Sequence, residues 1–329
     1  MSEDSKIQNP KFKIAYIFPG QGSQTVGMGR DLYDNFPPSR AIFEEANDAL
    51  GFSLSEMCFA GTVKDLALTA NTQPAILTTS VAAFRVMEAE GFPLPDFVAG
   101  HSLGEYSALV AAGALDFSDA VKTVRKRGVY MQEAVPVGVG AMAAILGLPL
   151  ETVEIACAEA TQGQVCSPAN INSPSQIVIA GNVEAIDRAC ELLKTRGAKR
   201  AVKLNVSAPF HCALMLPAQE KLAEDLQKIK FSDLRFPIIE NVSAEKNVSG
   251  ARVRSALTEQ VSKPVRWAQS VENLIIEEVS TFIEVGAGKV LSGLVKQINR
   301  DVRCMNIENF DSLKNSLESL ESSESRESI

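Results

Sequence analysis

Several features are scarce in this 329-residue sequence, and each scarcity argues against a class of protein. The six cysteines form no C-x-x-C pair, so we expect neither a zinc site nor a redox dithiol. No run reaches the roughly 18 uninterrupted apolar residues that a membrane span requires. The formal net charge of −8 argues against nucleic acid or a membrane surface as the main partner.

The N-terminal segment lacks the features of a targeting sequence. Residues 1–13 are polar, include Glu3 and Asp4, and contain no apolar signal core. We therefore expect a cytoplasmic protein with buried, reduced thiols rather than a disulfide framework. A 46% hydrophobic and 22% charged composition is that of an ordinary globular chain with a large core.

Strand and helix patterns alternate along the first third of the chain. The apolar run KIAYIF at 13–18 predicts a buried strand, and residues 97–99 predict a second one. Helical patterns cover residues 31–50, 72–90 and 105–113. This alternation predicts an α/β domain with a mainly parallel sheet.

Residues 138–206 follow a different order. Their patterns predict β-α-β-β-α-β, the order of a ferredoxin-like unit, which we interpret as a small domain inserted into the larger one. The large domain then comprises residues 11–137 and 207–310. Residues 1–10 and the Ser/Glu-rich segment 311–329 are predicted to be flexible tails, with a weak terminal helix as the alternative for the second.

The sharpest local signal is Gly100-His101-Ser102-Leu103-Gly104, which matches the nucleophile elbow G-x-S-x-G. In such an elbow the serine lies in a strained strand-to-helix turn, and side chains at the flanking glycine positions would clash. The motif stands between a predicted strand and a predicted helix, as it must. It therefore predicts Ser102 as a nucleophile.

The scarcity of histidine shortens the search for a base. Of the two histidines, His101 is adjacent to Ser102 and should point away from it in a sharp turn. His211 lies in a loop between a predicted strand and a predicted helix, and we interpret it as the general base. The alternative is a histidine packed or solvated in that loop. No triad acid stands out, and a backbone carbonyl can orient an imidazole instead.

Two further segments suggest a site. Backbone amides of the 18–24 segment FPGQGSQ lie at the predicted sheet end of the elbow, where with the Leu103 amide they would form an oxyanion hole, unless this is an ordinary Gly-rich turn. Gly22 and Gly27 have the spacing of a Walker phosphate-binding loop, but Met28 stands where that motif needs a lysine, so a nucleotide-binding loop is not predicted. Arg127 falls at the edge of the apolar stripe of a predicted helix, and its partner is either an internal carboxylate or a substrate.

These motifs together resemble the malonyl-CoA–acyl carrier protein transacylase family. The resemblance is carried by FPGQGSQ, GHSLGEYSAL, RGVYMQEAVP, SAPFHCALM, and the stretch from Val265-Arg266-Trp267 to Glu284-Val285-Gly286, and it spans about residues 12–308. It implies an α/β-hydrolase-like large domain with an inserted ferredoxin-like small domain. It also implies an enzyme of fatty acid synthesis that moves malonyl from CoA to the carrier protein's phosphopantetheine thiol.

The resemblance also implies a role for each matching residue. Ser102 would carry the malonyl group as an ester, and His211 would be the general base. The amides of Gln21 and Leu103 would form the oxyanion hole, and the backbone carbonyl of Gln260 would hold the histidine in place of a triad acid.

Substrate selection is implied by two more positions. Arg127 would pair with the malonate carboxylate, and the ring of Phe210 would crowd a 2-methyl branch. No metal or other cofactor is expected, since the CoA thioester is itself a substrate, and we expect a monomer.

Two alternative functions compete with malonyl transfer at the level of the sequence. The elbow alone also fits a serine esterase or thioesterase. A non-catalytic CoA-binding relative would be expected to lose Ser102 or His211, and both are present.

An acidic carrier protein would need a local basic surface on this chain. Two sets of residues are candidates for that surface, and each could equally be an ordinary solvated face: Lys122, Arg125 and Lys126, or Lys194, Arg196, Lys199 and Arg200.

Overall fold

The structure is a computed structural model that describes residues 12–206 and 208–326. Its strands are β1 Lys13–Phe18, β2 Phe97–Gly100, β3 Gly140–Leu146, β4 Cys166–Ser173, β5 Gln176–Asn182, β6 Arg200–Lys203, β7 Ile238–Ile239, β8 Lys246–Asn247, β9 Val279–Val285 and β10 Arg303–Ile307. Its helices are α1 Arg30–Asn35, α2 Pro37–Leu50, α3 Leu54–Ala60, α4 Val63–Ala67, α5 Thr69–Ala89, α6 Gly104–Ala111, α7 Phe117–Glu133, α8 Leu150–Thr161, α9 Val183–Thr195, α10 Leu216–Leu226, α11 Gly250–Gln260, α12 Trp267–Ile276, α13 Val290–Ile298 and α14 Phe310–Arg326.

The larger sheet has six strands in the order β10-β9-β1-β2-β7-β8, and only the β7–β8 pair is antiparallel. The prediction of a mainly parallel sheet is therefore confirmed. Strand β1 lies inside this sheet and is apolar on both faces, as expected for a parallel strand covered on both sides. Ile14, Tyr16 and Phe18 pack into one core, whereas Ala15 and Ile17 pack into the core on the opposite face.

The smaller sheet has four strands in the order β4-β5-β3-β6, and all its pairs are antiparallel. Helices α8 and α9 pack on it and share a third core with Ile145 and Ile179. The predicted order of strands and helices in this region is confirmed. Strand β4 extends to Ser173, well beyond the short edge expected at 165–167.

The C-terminal segment corrects one prediction. Residues 311–326 belong to helix α14 instead of a flexible tail, so only the alternative of a terminal helix holds there. Leu313 and Leu320 are buried in the main core, and the Phe310 ring stacks on Phe36 at 5.9 Å. Although serine is abundant in this segment, its leucines recur at helical spacing and form an apolar stripe. Burial of that stripe against the core stabilises the helix. Residues 1–10 and 327–329 lie outside the described residues.

The register of the large sheet places the candidate site. Phe18 at the end of β1 pairs with Gly100 at the end of β2, so the loop after β1 and the elbow after β2 leave the sheet at the same edge. Ligand sites of open parallel sheets lie at this carboxyl edge. The sequence prediction that these two segments lie at the same sheet end is confirmed.

Among residues 12–206 and 208–326, no helix combines the length and apolar character needed to cross a membrane. All six cysteines are free, and five of them are buried.

Truncating the apolar stripe of α14 provides a stability test. We expect Leu313→Ala to lower the free energy of unfolding by about 2–5 kcal/mol, because it opens a cavity in a packed core. The exposed neighbour Lys314 is the control, and Lys314→Ala should stay within about 0.5 kcal/mol of the parent chain. Denaturant unfolding measures both, and equal, small effects would show that the helix contributes nothing to the core.

Candidate active site

The turn around Ser102 has the strained geometry of a nucleophile elbow. Ser102 has φ of 51°, in the left-handed region. A Cβ on Gly104 would lie 2.0 Å from the Phe18 carbonyl oxygen, and one on Gly100 would lie 2.0 Å from the Gly104 carbonyl. Only glycine therefore lets α6 approach the end of β1 this closely, which confirms the steric reason given for the motif.

Ser102 and His211 are in direct contact. Ser102 Oγ lies 2.7 Å from His211 Nε2, and His211 Nδ1 lies 2.7 Å from the carbonyl oxygen of Gln260. Because a carbonyl only accepts hydrogen bonds, Nδ1 carries the proton and Nε2 of the neutral ring is left to accept the serine proton. The predicted pair and its carbonyl support thus form one chain of hydrogen bonds.

The imidazole of His211 is held in its neutral form. Burial, followed by the nearby positive charge of Arg127, lowers the pKa of His211 to about 3. The partner of its Nδ1 is a backbone carbonyl, which carries no negative charge that would raise the pKa. The ring is therefore available as a proton acceptor throughout the neutral range.

The other histidine occupies a different position. His101 Nε2 lies 2.8 Å from Asn172 Oδ1, and its ring packs against Trp267 with 5.7 Å between the ring centroids. These contacts agree with the expectation that His101 points away from Ser102. They also join the elbow of the large sheet to strand β4 of the small one.

Arg127 points inward, as its place at the edge of the apolar stripe predicted, and is 2% exposed. Its guanidinium donates to Gln73 Oε1 at 2.8 Å, to Gln260 Oε1 at 2.8 Å and to Ser102 Oγ at 3.1 Å. None of the ion pairs among residues 12–206 and 208–326 includes it. A buried guanidinium with neutral partners is poised to take an anion.

A cavity of about 120 Å³ opens above the serine. Its lining brings together the remaining predicted residues, Gln21, Leu103 and Phe210, with Ser102, His211 and Arg127. Within the described chain, the backbone N–H groups of Gln21 and Leu103 have no protein acceptor. Two residues of the cavity wall thus have a backbone donor without a protein partner, and their role as an oxyanion hole stays a prediction.

Sequence reasoning missed three polar side chains of this site. Asn241 accepts from the Ser102 N–H at 2.7 Å and donates to the Gly100 carbonyl at 2.6 Å, so it ties the start of the elbow to the backbone of the serine. Gln73 supports Arg127, and Glu105 contacts Gln260. Asn241 lies two residues after strand β7, and Gln73 lies inside helix α5. Glu105 belongs to the GHSLGEYSAL motif, but no role was assigned to it from the sequence.

The described residues contain no group of three or more His, Cys, Asp or Glu side chains placed to hold a metal ion. The expectation that no cofactor is used stays a prediction.

Comparison with known proteins gives a consistent result. The family model of the acyl transferase domain matches residues 15–311. The malonyl CoA-acyl carrier protein transacylase of Bacillus subtilis is 49% identical over 309 residues, which cover 94% of this chain and 97% of that protein.

Solved structures agree in fold over nearly the whole chain. An acyl carrier protein S-malonyltransferase from Vibrio cholerae superposes with a TM-score of 0.91 at 47% identity, covering 92% of this chain and 99% of that one. A malonyl-transacylase in complex with its type II PKS acyl-carrier protein superposes with a TM-score of 0.91 at 46% identity, covering 93% and 99%. By sequence and by fold, this chain belongs to the acyl transferase domain family of the malonyl CoA-acyl carrier protein transacylases.

Proposed function

We propose that this chain is an acyltransferase that moves the malonyl group from malonyl-CoA to the phosphopantetheine thiol of an acyl carrier protein. The observation that carries the proposal is the buried Arg127 guanidinium, which lies 3.1 Å from the candidate nucleophile and makes only neutral contacts. A malonyl thioester has a free carboxylate that would complete this site. The names of the relatives, and one relative's complex with a carrier protein, support the same substrate and partner.

Acylation of the serine follows from the geometry. Ser102 Oγ attacks the thioester carbonyl while His211 Nε2 takes its proton, so the new O–C bond forms as the base becomes imidazolium. The Gln21 and Leu103 amides stabilise the oxyanion. The C–S bond then breaks, and the sulfur takes the proton from His211, so CoA leaves as a thiol and the imidazole is neutral again.

Transfer to the carrier protein reverses these roles. The phosphopantetheine thiol gives its proton to His211 and attacks the malonyl ester, and Ser102 recovers the proton when its C–O bond breaks. One nucleophile is thus used twice in ping-pong order. Neither half requires a metal or redox cofactor in this scheme.

Two residues would select the acyl group. Arg127 pairs with the malonate carboxylate and holds the acyl chain to one side of the cavity. Phe210 lines the same cavity, where its ring would crowd a branch at the carbon next to the thioester. A small cavity with one fixed cation favours a short dicarboxylic acyl group.

A serine esterase or thioesterase is the second candidate, because the elbow and base fit it equally well. The unpaired Arg127 favours transfer over this alternative, since a plain esterase has no need of a buried cation beside its nucleophile. Incubation with malonyl-CoA, with and without carrier protein, separates them. Transfer gives malonyl carrier protein, and hydrolysis gives free malonate in both reactions.

The finer architecture is also part of the proposal. The four antiparallel strands with α8 and α9 support a ferredoxin-like small domain at 138–206, inserted into an α/β-hydrolase-like large domain at 11–137 and 207–310. A cytoplasmic location and a monomeric state remain predictions.

Carrier-protein docking still needs a basic surface. Lys126 of the first candidate patch is ion-paired with Asp225. In the second patch, Arg196 is paired with Glu159 and Lys194 with Glu191. Neither patch therefore offers its full formal charge to an acidic partner.

The covalent intermediate gives the first functional test. Incubation with malonyl-CoA should add one malonyl group to the intact chain, and Ser102→Ala should abolish the adduct because it removes the hydroxyl that lies 2.7 Å from His211 Nε2. The mass of the intact chain, measured for the parent and for Ser102→Ala, checks both expectations. An undiminished adduct in Ser102→Ala would place the ester on another residue and remove Ser102 as the nucleophile.

Arg127 provides a test of substrate choice. Arg127→Ala should slow malonyl loading by about 100-fold, the scale of a lost charge-assisted bidentate pair, while acetyl loading is spared. Rapid-quench loading with the two thioesters measures the split. Arg125→Ala is the matched control, because Arg125 lies on the same helix but bonds to Asn71. Equal losses for both acyl groups would contradict a carboxylate-binding role.

The lowered pKa of His211 predicts the pH dependence of the reaction. Since the free ring stays neutral down to about pH 3, the Ser102 reaction with a neutral fluorophosphonate should show no acid limb between pH 5 and 8. Arg127→Ala removes a charge that lowers this pKa, so the acid limb should move to higher pH. The rate of Ser102 labelling, measured as a function of pH, gives the position of the acid limb. A fall in this rate with a midpoint near pH 6.5 in the parent chain would contradict a neutral, buried base.

A further inference from the structure

One buried side chain connects the separate parts of the candidate site. Gln260, the last residue of α11, is fully buried. Its carbonyl oxygen accepts from His211, its side-chain Oε1 accepts from Arg127, and its Nε2 donates to the Ser102 carbonyl at 2.9 Å. The remaining N–H of Nε2 donates to Glu105 Oε2 at 2.6 Å.

The orientation of this amide follows from its partners. A guanidinium only donates hydrogen bonds, so the amide oxygen of Gln260 must face Arg127 and its nitrogen must face away. The nitrogen then meets two acceptors, the Ser102 carbonyl and the Glu105 carboxyl, so both N–H groups of the amide are occupied. The shorter of the two contacts is the one to Glu105.

Glu105 has no role in the mechanism above, yet it is a carboxyl group buried in helix α6. Its Oε1 receives only a long contact of 3.4 Å from the Asn241 N–H. Burial raises the pKa of Glu105 to about 8, and the Gln260 hydrogen bond opposes this shift. Burial of an acidic side chain costs free energy of folding, because the carboxyl group loses its hydration. The presence of Glu105 at this position therefore calls for an explanation.

We propose that Glu105 is a positioning residue that fixes the Gln260 amide and, through it, holds the Arg127 guanidinium beside Ser102 Oγ. The inference rests on the proposed malonyl transfer. A carboxylate in direct contact with Arg127 would occupy the donors that the substrate needs. With one amide between them, the guanidinium is held in place while it remains open to an incoming carboxylate.

The chain of contacts also explains why the amide matters. Its N–H end faces an acid and its C=O end faces a cation, so each hydrogen bond polarises the other. Removal of the acid leaves a buried N–H without a partner, and the amide then turns to find one. Arg127 loses its fixed acceptor when this happens.

The ratio of malonyl to acetyl loading rates on Ser102 tests the proposal. Glu105→Ala should lower this ratio about tenfold or more, whereas Glu105→Gln, which retains an oxygen acceptor for Gln260 Nε2, should restore it to within about threefold of the parent. An unchanged ratio in Glu105→Ala, or an equal fall in both variants, would overturn the proposal.

The route through Gln260 is tested by a double-mutant cycle. Gln260→Ala keeps the backbone carbonyl that holds His211 but removes the amide, so it should lower the ratio by itself. Adding Glu105→Ala to it should then change the ratio by less than about twofold. Independent, multiplying effects would show that Glu105 acts by another route.

A buried carboxyl elsewhere controls for loss of stability. Glu284 on β9 is fully buried and accepts from the Leu291 and Ser292 N–H groups at the start of α13. Glu284→Gln should lower the melting temperature and leave the loading ratio unchanged. If the ratio falls there as well, the Glu105 effect is merely structural.

A crystal structure of Glu105→Ala separates this inference from the proposed function. Arg127 Nη2 should move away from Ser102 Oγ, from the present 3.1 Å, whatever acyl group the enzyme uses. An Arg127 that stays in place overturns the positioning role. Absence of any malonyl adduct in the parent chain instead overturns the proposed function.

Discussion

The close approach of helix α6 to the end of strand β1 is the constraint on which the rest of the site depends. It holds the backbone of Ser102 in a left-handed conformation, and only glycine at position 104 leaves room for the Phe18 carbonyl. The strain is balanced by Asn241, whose side chain accepts from the Ser102 N–H and donates to the Gly100 carbonyl. Because packing and hydrogen bonds hold the turn in one conformation, the serine hydroxyl is already positioned beside the candidate base.

The electrostatics of the site follow from placing a cation and a neutral base around one hydroxyl. Arg127 is buried beside Ser102, and its charge helps to keep His211 unprotonated. A carboxylate in direct contact with either group would reverse this arrangement by raising the pKa of the imidazole or by neutralising the guanidinium. Backbone and amide oxygens supply the hydrogen bonds instead, since they orient both groups without adding a negative charge.

Local motifs made much of this arrangement predictable, and tertiary contacts account for what was missed. The elbow, His211 and the inward-facing Arg127 are each signalled by a few neighbouring residues, and the structure brings them together. Gln73 and Glu105 look like ordinary helix residues until α5, α6 and α11 converge, because a hydrogen bond between distant segments leaves no periodicity. Helix α14 was only the alternative to a flexible tail for a related reason, since its four apolar positions are outnumbered by serine and glutamate in any average over the segment.

The cavity above the serine has walls from both sheets, and this limits what can enter it. Ser102 and Arg127 belong to the large-sheet part, whereas Met142 and Asn170 lie on strands of the small sheet. The two parts are joined beside the site where Asn170 bridges to Val265. The loop after β6 completes the lining with Leu204, Phe210 and His211. The cavity therefore takes part of its shape from the packing of two cores against each other and part from the loop that carries the candidate base.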